Sequence, residues 1–494
     1  MPPDGRAPVI VGAGQHLHRA TGLDDAVEPV ELMAHAIRAA ADDAGLTAVP
    51  APDSLRVVSL FSWRYGNPGW VLARRLGLEP RELAYTTAGG NSPQTLLNAT
   101  AGAIGRGELD VAILTGGEAW RTRMRARRAG VDVDWEQAPD VAPPVVLGLE
   151  LDMSHPAEIA HGVQLPVQVY PMFESALRAE AGRSVDDHQR HLGELWAGFS
   201  RVAARNPFAW IDEEKSADEI RTVTQSNRMI GLPYPKYMNS NNDVDMAAAL
   251  IVCSVDAARR LGVAPDRWVF PHSGTDCHEH PYVSQRSSFT RLPAVELGGR
   301  RAMELAGVDI DDISIVDLYS CFPAAVQLGA SSLGLGLDRK LTRTGGLSFA
   351  GGPWNNYVMH AIATIVGELR DHSGERALVW ANGGYVTKHA FGVYSTTPPD
   401  TGFRHETPQA QIDAMPRCEL ADGDDAAGPA TIEAYTVMHD RDGTPERAIT
   451  TCRLGDGRRA WGLSTDADLC TAMTDGEWVG RPVTLGAAAS LIAT

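Results

Sequence analysis

The alternation of apolar and polar positions divides most of the chain into two segments with the same order of elements. In the first segment an apolar strand over 9–11 is followed by a helical pattern over 30–45. A further helix is predicted to begin at Ser92-Pro93, because Ser is a good N-cap and Pro fits the first turn. It leads into a buried strand over 110–114 that stops at Gly116-Gly117.

The second segment repeats this order. A helical pattern over 299–307 leads through two aspartates to an apolar strand over 313–318. Another helix, over 355–369, precedes a strand over 377–380 that ends in Asn-Gly-Gly at 382–384. Two similar βα halves of this length favour a duplicated, five-layered α/β fold over an ordinary doubly wound sheet whose units look alike by chance.

Two further regions interrupt or follow the halves. Residues 118–232 are rich in Trp, Arg and Pro and too numerous for a simple loop, which predicts a helical and loop cap over a site. The segment 395–408 has the composition of a linker. Beyond it, Asp442-Gly443 and Asp456-Gly457 connect alternating stretches. This pattern predicts a small C-terminal β-barrel domain, OB-like, over 409–494.

Composition narrows the range of partners and compartments. The net charge of −18 disfavours nucleic acid and anionic membrane as partners, since both attract Lys and Arg. Five arginines between 121 and 128 form a local basic cluster that would suit CoA phosphates, although a solvated surface is the commoner explanation. Six cysteines without a CxxC pair, and no secretory or membrane-spanning pattern, predict a cytoplasmic protein.

Four motifs over residues 8–394 resemble those of the thiolase superfamily. The first, Ala-Gly-Gly-Asn-Ser-Pro-Gln at 88–94, opens the helix whose N-terminus carries the nucleophilic Cys in thiolases, and Gly89 occupies that position. Unpaired N–H groups at such a helix start lower a thiol pKa. The second motif, at 238–249, resembles the segment that contacts the pantetheine arm, with Asn241 in the place of a Ser that touches CoA.

The other two motifs surround the remaining catalytic positions of the family. Asp-Leu-Tyr-Ser-Cys-Phe-Pro at 317–323 stands in place of Asn-Glu-Ala-Phe, so that Tyr319 replaces the Asn of an oxyanion hole. Gly352 stands at the His of the Gly-His-Pro loop, and Ala381 stands at the Cys of the Cys-x-Gly loop. The three principal catalytic side chains of a thiolase are therefore absent from their usual places.

The whole pattern is most similar to type 1 thiolase-like proteins with an additional C-terminal domain, which are related to acetyl-CoA acetyltransferases. The resemblance implies a thiolase half over 1–117 and 233–262, a cap over 118–232, a second half over 263–394, a linker over 395–408 and the barrel over 409–494. It also implies an acyl-CoA-binding protein of the acyltransferase class, in lipid metabolism, with CoA or acyl-CoA as ligand and neither a resident cofactor nor a metal.

We expect replacement chemistry on the loops that border the family's pocket. Some thiolase-superfamily steroid aldolases carry Tyr near the third motif, where tyrosines are proposed to handle protons in retro-aldol cleavage. The predicted catalytic residues are Tyr319, His389 and Tyr385, and the predicted substrate- or CoA-binding residues are Asn91, Asn241, Gly352, Tyr357, Gly383 and Gly384.

Simpler explanations stand beside these roles. Each Tyr can fill space left by the missing His and Cys, and His389 can be a buried core histidine. Cys321 is either a relocated nucleophile or, more commonly, a small apolar core residue. His272, Cys277, His278 and His280 resemble a metal site only loosely, and their spacing matches no zinc pattern.

Two classes of function therefore remain open. One is an enzyme that acts on a CoA thioester by acyl transfer or retro-aldol cleavage, and the other is a non-catalytic acyl-CoA-binding or scaffold protein. Thiolases pair through a strand that corresponds to about 83–88, and the added domain is expected to block or replace that contact. The chain is expected to be a monomer or homodimer, and the barrel is a candidate docking module for an acyl-CoA-processing protein.

Overall fold

A computed structural model describes residues 3–138 and 140–493, over which strands alternate with helices. The strands are β1 (Pro8–Leu17), β2 (Ser54–Val57), β3 (Glu82–Thr86), β4 (Val111–Ala119), β5 (Val145–Leu147), β6 (Met229–Gly231), β7 (Tyr234–Pro235), β8 (Asp245–Ser254), β9 (Phe270–His278), β10 (Ile315–Leu318), β11 (Arg376–Gly383), β12 (Lys388–Ser395), β13 (Arg404–Glu406), β14 (Gly428–His439), β15 (Pro445–Leu454), β16 (Arg459–Ser464), β17 (Pro482–Leu485) and β18 (Leu491–Ala493). The helices are α1 (Pro29–Asp43), α2 (Pro68–Leu76), α3 (Ser92–Gly105), α4 (Trp120–Ala129), α5 (Pro156–Ala160), α6 (Pro166–Glu180), α7 (Val185–Ala203), α8 (Ala217–Arg221), α9 (Val255–Arg260), α10 (Pro293–Ala306), α11 (Pro323–Leu333), α12 (Gly346–Phe349), α13 (Tyr357–Asp371), α14 (Gln409–Asp413) and α15 (Ala467–Thr474).

The predicted duplication appears as two mixed sheets. The first has the order β1-β8-β4-β2-β3-β5 and the second β10-β11-β12-β9-β13. Helices α3 and α13 contact strands of both sheets and so lie between them, while α1 packs on the outer face of the first sheet and α10 on the outer face of the second. Helix, sheet, helix, sheet and helix make five layers, as the repeated pattern predicts.

Helix starts follow local sequence signals. Pro occupies the first turn of α1, α2, α3, α10 and α11, where its missing N–H costs nothing and its fixed φ suits a helix. The observed α10 begins at Pro293, earlier than the predicted 299, because Pro and the following residues already have helical spacing. Strand β8 is buried at every position, as expected for a central strand between β1 and β4.

Strand β3 is covered within the chain, and β5 is the outermost strand on this side of the first sheet. Strand β3 corresponds to the strand through which thiolases are expected to pair, and β5 from the insertion pairs with it in parallel. Ala84, Tyr85 and Thr86 face Val145, Val146 and Leu147 in this register. The insertion, rather than the C-terminal domain, therefore occupies this edge.

The C-terminal strands form a third sheet. Strands β14, β15 and β16 are joined by turns at Gly443 and Gly457, whose φ values of 89° and 90° require glycine-like freedom, as the Asp-Gly signals predict. A bridge between Leu463 and Ser490 brings β16 next to the end of the sheet that holds β18. Gly231 in β6 of the insertion pairs with Met438 in β14, so the insertion and the C-terminal domain share hydrogen bonds. The OB-like topology remains a prediction.

The segment predicted as a linker also contributes to the fold. Its residues Arg404–Glu406 form β13, which pairs in parallel with β9 at the edge of the second sheet. In the described part of the chain, no helix has both the length and the apolar composition needed to cross a bilayer.

Two helical glycines provide a direct test of this packing. A Cβ at Gly329 in α11 would lie 2.2 Å from the Trp380 ring, whereas a Cβ at Gly367 in α13 would have no neighbour within 4 Å. We expect Gly329→Ala to lower the free energy of unfolding by ~1–3 kcal/mol through overpacking. We expect Gly367→Ala to raise it by ~0.5–1 kcal/mol, since Ala is the better helix former. Urea denaturation measures both, and equal effects would contradict the packing described here.

Candidate functional site

A cavity of about 530 Å³ lies where loops of both halves meet the insertion. The first half contributes Gly89 and Gly90, and the second half contributes Tyr319, Trp354 and Asn382. Most of the wall is apolar. Phe61 and Leu165 belong to this wall although they are 48% and 56% exposed, so the opening is apolar as well.

The cavity depends on a close approach of two glycine loops. A Cβ at Gly383 would lie 3.2 Å from the Gly89 Cα, and a Cβ at Gly90 would lie 2.4 Å from the carbonyl oxygen of Asn382. The same Cβ at Gly90 would lie 2.3 Å from the Tyr319 hydroxyl, while a Cβ at Gly89 would point toward Lys388. Gly90 is therefore the residue of this turn that faces Tyr319.

Tyr319 presents a free hydroxyl group to the cavity. Its ring packs edge-on against Tyr357 with centroids 5.6 Å apart, and among the described residues no group forms a hydrogen bond with its hydroxyl. Burial raises the pKa of Tyr319 well above its usual range, and the neighbouring Cys321 and Tyr357 raise it further. A neutral phenol in this position can donate a hydrogen bond or a proton but is a weak base.

In the turn before α3, the N–H of Gly89 already has a hydrogen-bond acceptor. The Gly89 N–H donates to Asn355 Oδ1 at 3.0 Å, and Asn355 in turn donates to the carbonyl of Ser59. Lys388 Nζ donates to the carbonyls of Ala88 and Leu149, which holds the turn from its other side. Burial lowers the pKa of Lys388. Sequence reasoning missed Asn355, for which no local signal exists.

Three lining residues carry a buried polar atom that has no hydrogen-bond partner in the described part of the chain. These atoms are Asn239 Oδ1, Trp354 Nε1 and Asn382 Oδ1. Trp354 also has a φ of 47°, and Val386, just after the second glycine loop, has a φ of 44°. Such left-handed non-glycine residues cost on the order of 1–3 kcal/mol and tend to cluster at functional sites.

The structure brings several of the other predicted residues to this cavity. Gly384 and Tyr385 line it, and the Tyr385 hydroxyl donates to the carbonyl of Gln164. Burial raises the pKa of Tyr385. Asn91 lies against the glycine loops, because a Cβ at Gly383 would be 2.5 Å from Asn91 Oδ1.

Three predicted residues lie just behind the lining. The Gly352 N–H donates to the carbonyl of Asn241 at 2.8 Å, and a Cβ at Gly352 would contact Asn242, which does line the cavity. Tyr357 is turned away, and its hydroxyl pairs with Thr344 Oγ1 at 2.7 Å. These residues can shape the wall without touching its contents.

His389 and Lys388 point to opposite faces of β12, as neighbours on a strand do. His389 is buried against Trp380, whose Nε1–H donates to its Nδ1 at 3.3 Å, and it is absent from the lining. Burial, with help from Arg286 and His278, lowers the pKa of His389 well below its usual range. Because side chains alternate between the two faces of a strand, the sequence itself indicates that Lys388 and His389 lie on opposite sides of β12.

Cys321 does line the cavity, but its chemistry is that of a buried thiol. Burial raises its pKa to about 12. The histidine and cysteine cluster on and after β9 is used in hydrogen bonds to main-chain carbonyls, with His272 on Thr397, Cys277 on Ala294, His278 on Glu279 and His280 on Met415. Across 3–138 and 140–493, no three His, Cys, Asp or Glu side chains are grouped as metal ligands.

Comparison with known proteins places this architecture in a family. Residues 408–488 match the thiolase-like protein type 1 additional C-terminal domain. A solved structure, a monomeric SCP2-thiolase like protein type 1 from Mycobacterium smegmatis, is 34% identical, with a TM-score of 0.84 over 99% of this chain and 100% of that one. The chain belongs to the SCP2-thiolase-like proteins of type 1.

More distant relatives of this type 1 thiolase-like protein support the fold. The benzoylsuccinyl-CoA thiolase subunit BbsB of Thauera aromatica is 26% identical over 197 residues, which cover 39% of this chain and 48% of the relative. The chain thus spans about half the length of that curated relative. The Ltp2-ChsH2(DUF35) aldolase structure is 20% identical with a TM-score of 0.60, over 79% of this chain and 98% of that chain. The predicted thiolase fold is confirmed.

The additional domain of the type 1 thiolase-like protein reaches the cavity through two arginines. Arg459 on β16 is fully buried, pairs with Glu433 and donates to the carbonyls of Ser284 and Arg286 at 2.9 and 2.6 Å. The Arg286 side chain then donates to the carbonyls of Tyr385 and Val386. The domain therefore braces the glycine loop that forms one wall of the cavity.

We expect Arg459→Gln to loosen this wall. Loss of a charge-assisted contact to two carbonyls should speed amide hydrogen exchange in residues 383–388 by about tenfold, which corresponds to ~1.4 kcal/mol. Mass spectrometry of exchanged peptides measures the effect. Arg458→Gln, whose side-chain partner is the exposed Asp456, is the matched control and should leave these peptides unchanged. Unaltered exchange in Arg459→Gln would contradict the bracing role.

Cys321 should be chemically inert. A thiol with a pKa of about 12 is ionised only to about one part in 10⁴ at pH 8. Iodoacetamide at pH 8 should therefore modify the half-buried Cys418 first and leave Cys321 intact, with the rate at Cys321 rising as pH rises. Peptide mass spectrometry after timed alkylation tests this. Preferential modification of Cys321, or an acyl group on it after incubation with acyl-CoA, would show that it is a nucleophile.

Proposed function

We propose that the cavity binds the acyl part of a CoA thioester and that Tyr319 transfers protons to and from this acyl group. The observation that carries this proposal is a neutral hydroxyl, without a hydrogen-bond partner among the described residues, in an apolar cavity bordered by the two glycine loops whose sequences resemble those of thiolases. The apolar opening at Phe61 and Leu165 favours an alkyl or aryl acyl chain. One relative is named for benzoylsuccinyl-CoA and another as an aldolase, which supports a thioester substrate and a carbon–carbon bond step.

Retro-aldol cleavage of a β-hydroxyacyl-CoA suits these groups better than acyl transfer. Acyl transfer through the protein needs a ready nucleophile, and the pKa of about 12 of Cys321 keeps that thiol protonated. In the retro-aldol step the Cα–Cβ bond breaks and its electrons move toward the thioester oxygen. Tyr319 can pass its proton to Cα, where the electrons of the broken bond finally form the new Cα–H bond, while its oxygen takes the proton of the β-hydroxyl. The O–H electrons left on the β-oxygen form the C=O bond of the released aldehyde or ketone, and the phenol is neutral before and after the step.

A specific observation favours a second candidate, acyl-CoA binding without turnover. The Gly89 N–H, which would help to stabilise a developing oxyanion, is occupied by Asn355 Oδ1. In addition, within the described chain no carboxylate or imidazole lines the cavity to serve as a separate base. The proposed turnover therefore depends on Tyr319, so a substitution of this one residue distinguishes a lyase from a protein that only binds acyl-CoA.

We further propose that the protein works as a monomer. The edge of β3, where thiolases pair, is covered by β5 of the same chain. The relative from Mycobacterium smegmatis is described as monomeric. A docking role for the C-terminal domain toward an acyl-CoA-processing protein stays a prediction, and deleting the domain would also remove the strand that pairs with β6 of the insertion.

Tyr319→Phe tests the catalytic role. With a panel of alkyl and aryl β-hydroxyacyl-CoA thioesters, we expect the wild-type protein to release an aldehyde or ketone. We expect Tyr319→Phe to lower kcat by ~100-fold or more, because proton transfer is lost, while the Kd for acyl-CoA changes little. Carbonyl release is followed by hydrazone formation, and binding is followed by calorimetry.

Tyr282→Phe is the matched control, because Tyr282 is half-buried, packs against His155 and lies outside the cavity. It should retain wild-type turnover. Saturable binding without any product would replace the lyase proposal by the binding role, and failure of CoA and acyl-CoA to bind at millimolar concentration would remove both.

A further inference from the structure

A second cleft, distinct from the cavity, lies on the surface between α7 and the loop before α12. It has a volume of about 540 Å³. Its walls come from the C-terminal half of α7 with the residues that follow it, and from residues 337–343. Helix α12 separates it from the cavity, since Phe199 of the cleft packs on Gly346 while Leu347 lines the cavity.

The cleft is rich in positive charge. Its walls hold five cationic side chains and two acidic ones in a protein whose net charge is −18. The cations are Arg201, Arg205, Arg339, Lys340 and Arg343, and the acids are Glu194 and Asp338. This local excess of positive charge in an otherwise negative protein creates a positive electrostatic potential that attracts anions.

Several of these charges have little compensation from the protein. Arg343 pairs with Glu368 at 2.7 Å and Arg201 pairs with Glu214 at 3.0 Å, so these two are satisfied. Lys340 has Glu368 only at 3.8 Å, and Arg339 donates to the carbonyl of Ile313 rather than to a carboxylate.

Arg205 has the least compensation. Over the described residues its guanidinium forms neither a hydrogen bond nor an ion pair. Partial burial lowers the pKa of Lys340, and the neighbouring Arg343 and Arg205 lower it further against the opposing effect of Glu368. The like charges therefore stand close enough to repel one another.

Apart from Asn206, Thr342 and Thr364, the other side chains of the wall are apolar. Leu195, Phe199 and Val202 come from α7, and Leu337 and Leu341 come from the opposite side. Neither Glu194 nor Asp338 forms an ion pair with the cleft's cations in the parts of the chain that are described. A ligand that fits this surface needs an anionic group of more than one charge and an apolar portion.

We propose that this cleft binds a phosphorylated small molecule that carries an apolar group. Guanidinium groups match phosphate oxygens geometrically, and several cations around one group favour a dianion over a single carboxylate. Arg205 and Lys340 would contact the phosphate, and the leucines with Phe199 would contact the apolar group. The phosphate can belong to CoA itself or to a separate metabolite, and these sources can be distinguished by competition.

Calorimetry with hexyl phosphate on the full-length protein tests the proposal. We expect saturable binding in the sub-millimolar range that weakens as salt is added, weaker binding of inorganic phosphate, and no binding of hexanol. The double variant Arg205→Ala/Lys340→Ala should weaken hexyl phosphate binding at least tenfold. Arg417→Ala/Arg441→Ala, which removes two exposed charges from the C-terminal domain, should bind as the wild type does.

Two binding results would overturn the proposal, and competition with CoA identifies the source of the phosphate. Absence of saturable hexyl phosphate binding by the wild type, or equal loss in both double variants, would overturn the proposal. Displacement of hexyl phosphate by CoA would assign the phosphate to CoA, whereas simultaneous binding of both would assign the cleft to another ligand. The cleft proposal does not rest on turnover, so the result for Tyr319→Phe leaves it intact.

Discussion

The buried guanidinium of Arg286 is the contact on which the shape of the cavity depends. It donates to the carbonyls of His280, Tyr385 and Val386 and to the Thr387 hydroxyl, and it is enclosed by protein on all sides. A buried cation is tolerated only when its donors are satisfied, so the loop must stay where those acceptors are. The left-handed Val386 is held in the same way, with its carbonyl on Arg286 and its N–H on the Tyr170 hydroxyl.

This dependence links the family's additional domain to the older scaffold. In the thiolase fold the second glycine loop ordinarily carries catalytic Cys chemistry, whereas here it carries Asn382, Gly384 and Tyr385. Arg459 reaches from the C-terminal domain to the main chain of Arg286, so a domain whose described residues contribute no side chain to the cavity lining still fixes part of its wall. Near the crossing of the two glycine loops, the cavity lining offers the hydroxyl group of Tyr319 and the amide group of Asn382.

Much of this was predictable from the chain, for reasons that particular residues illustrate. The Ser-Pro start of α3 and the Asp-Gly turns are local signals, and each appears where the pattern indicates. The resemblance in the four motifs predicts one site for Tyr319, Gly383 and Gly384; Tyr319 and Gly384 line the cavity, and Gly383 lies against Gly89 beside it. Other contacts join residues far apart in sequence, and no periodicity or motif encodes such pairs. They are the hydrogen bond from Gly89 to Asn355, the hydrogen bond from Arg459 to the carbonyl of Arg286, and the pairing of β5 with β3.

The closure of β3 by β5 changes the thermodynamics of the first sheet. When a second molecule supplies the strand at a sheet edge, each association costs the two molecules translational and rotational freedom. The fraction of sheets that carry this strand then varies with protein concentration. Here the covering strand is tethered to the same chain, so the entropic penalty is that of closing a loop, which grows only slowly with loop length. The pairing of β5 with β3 is therefore independent of protein concentration.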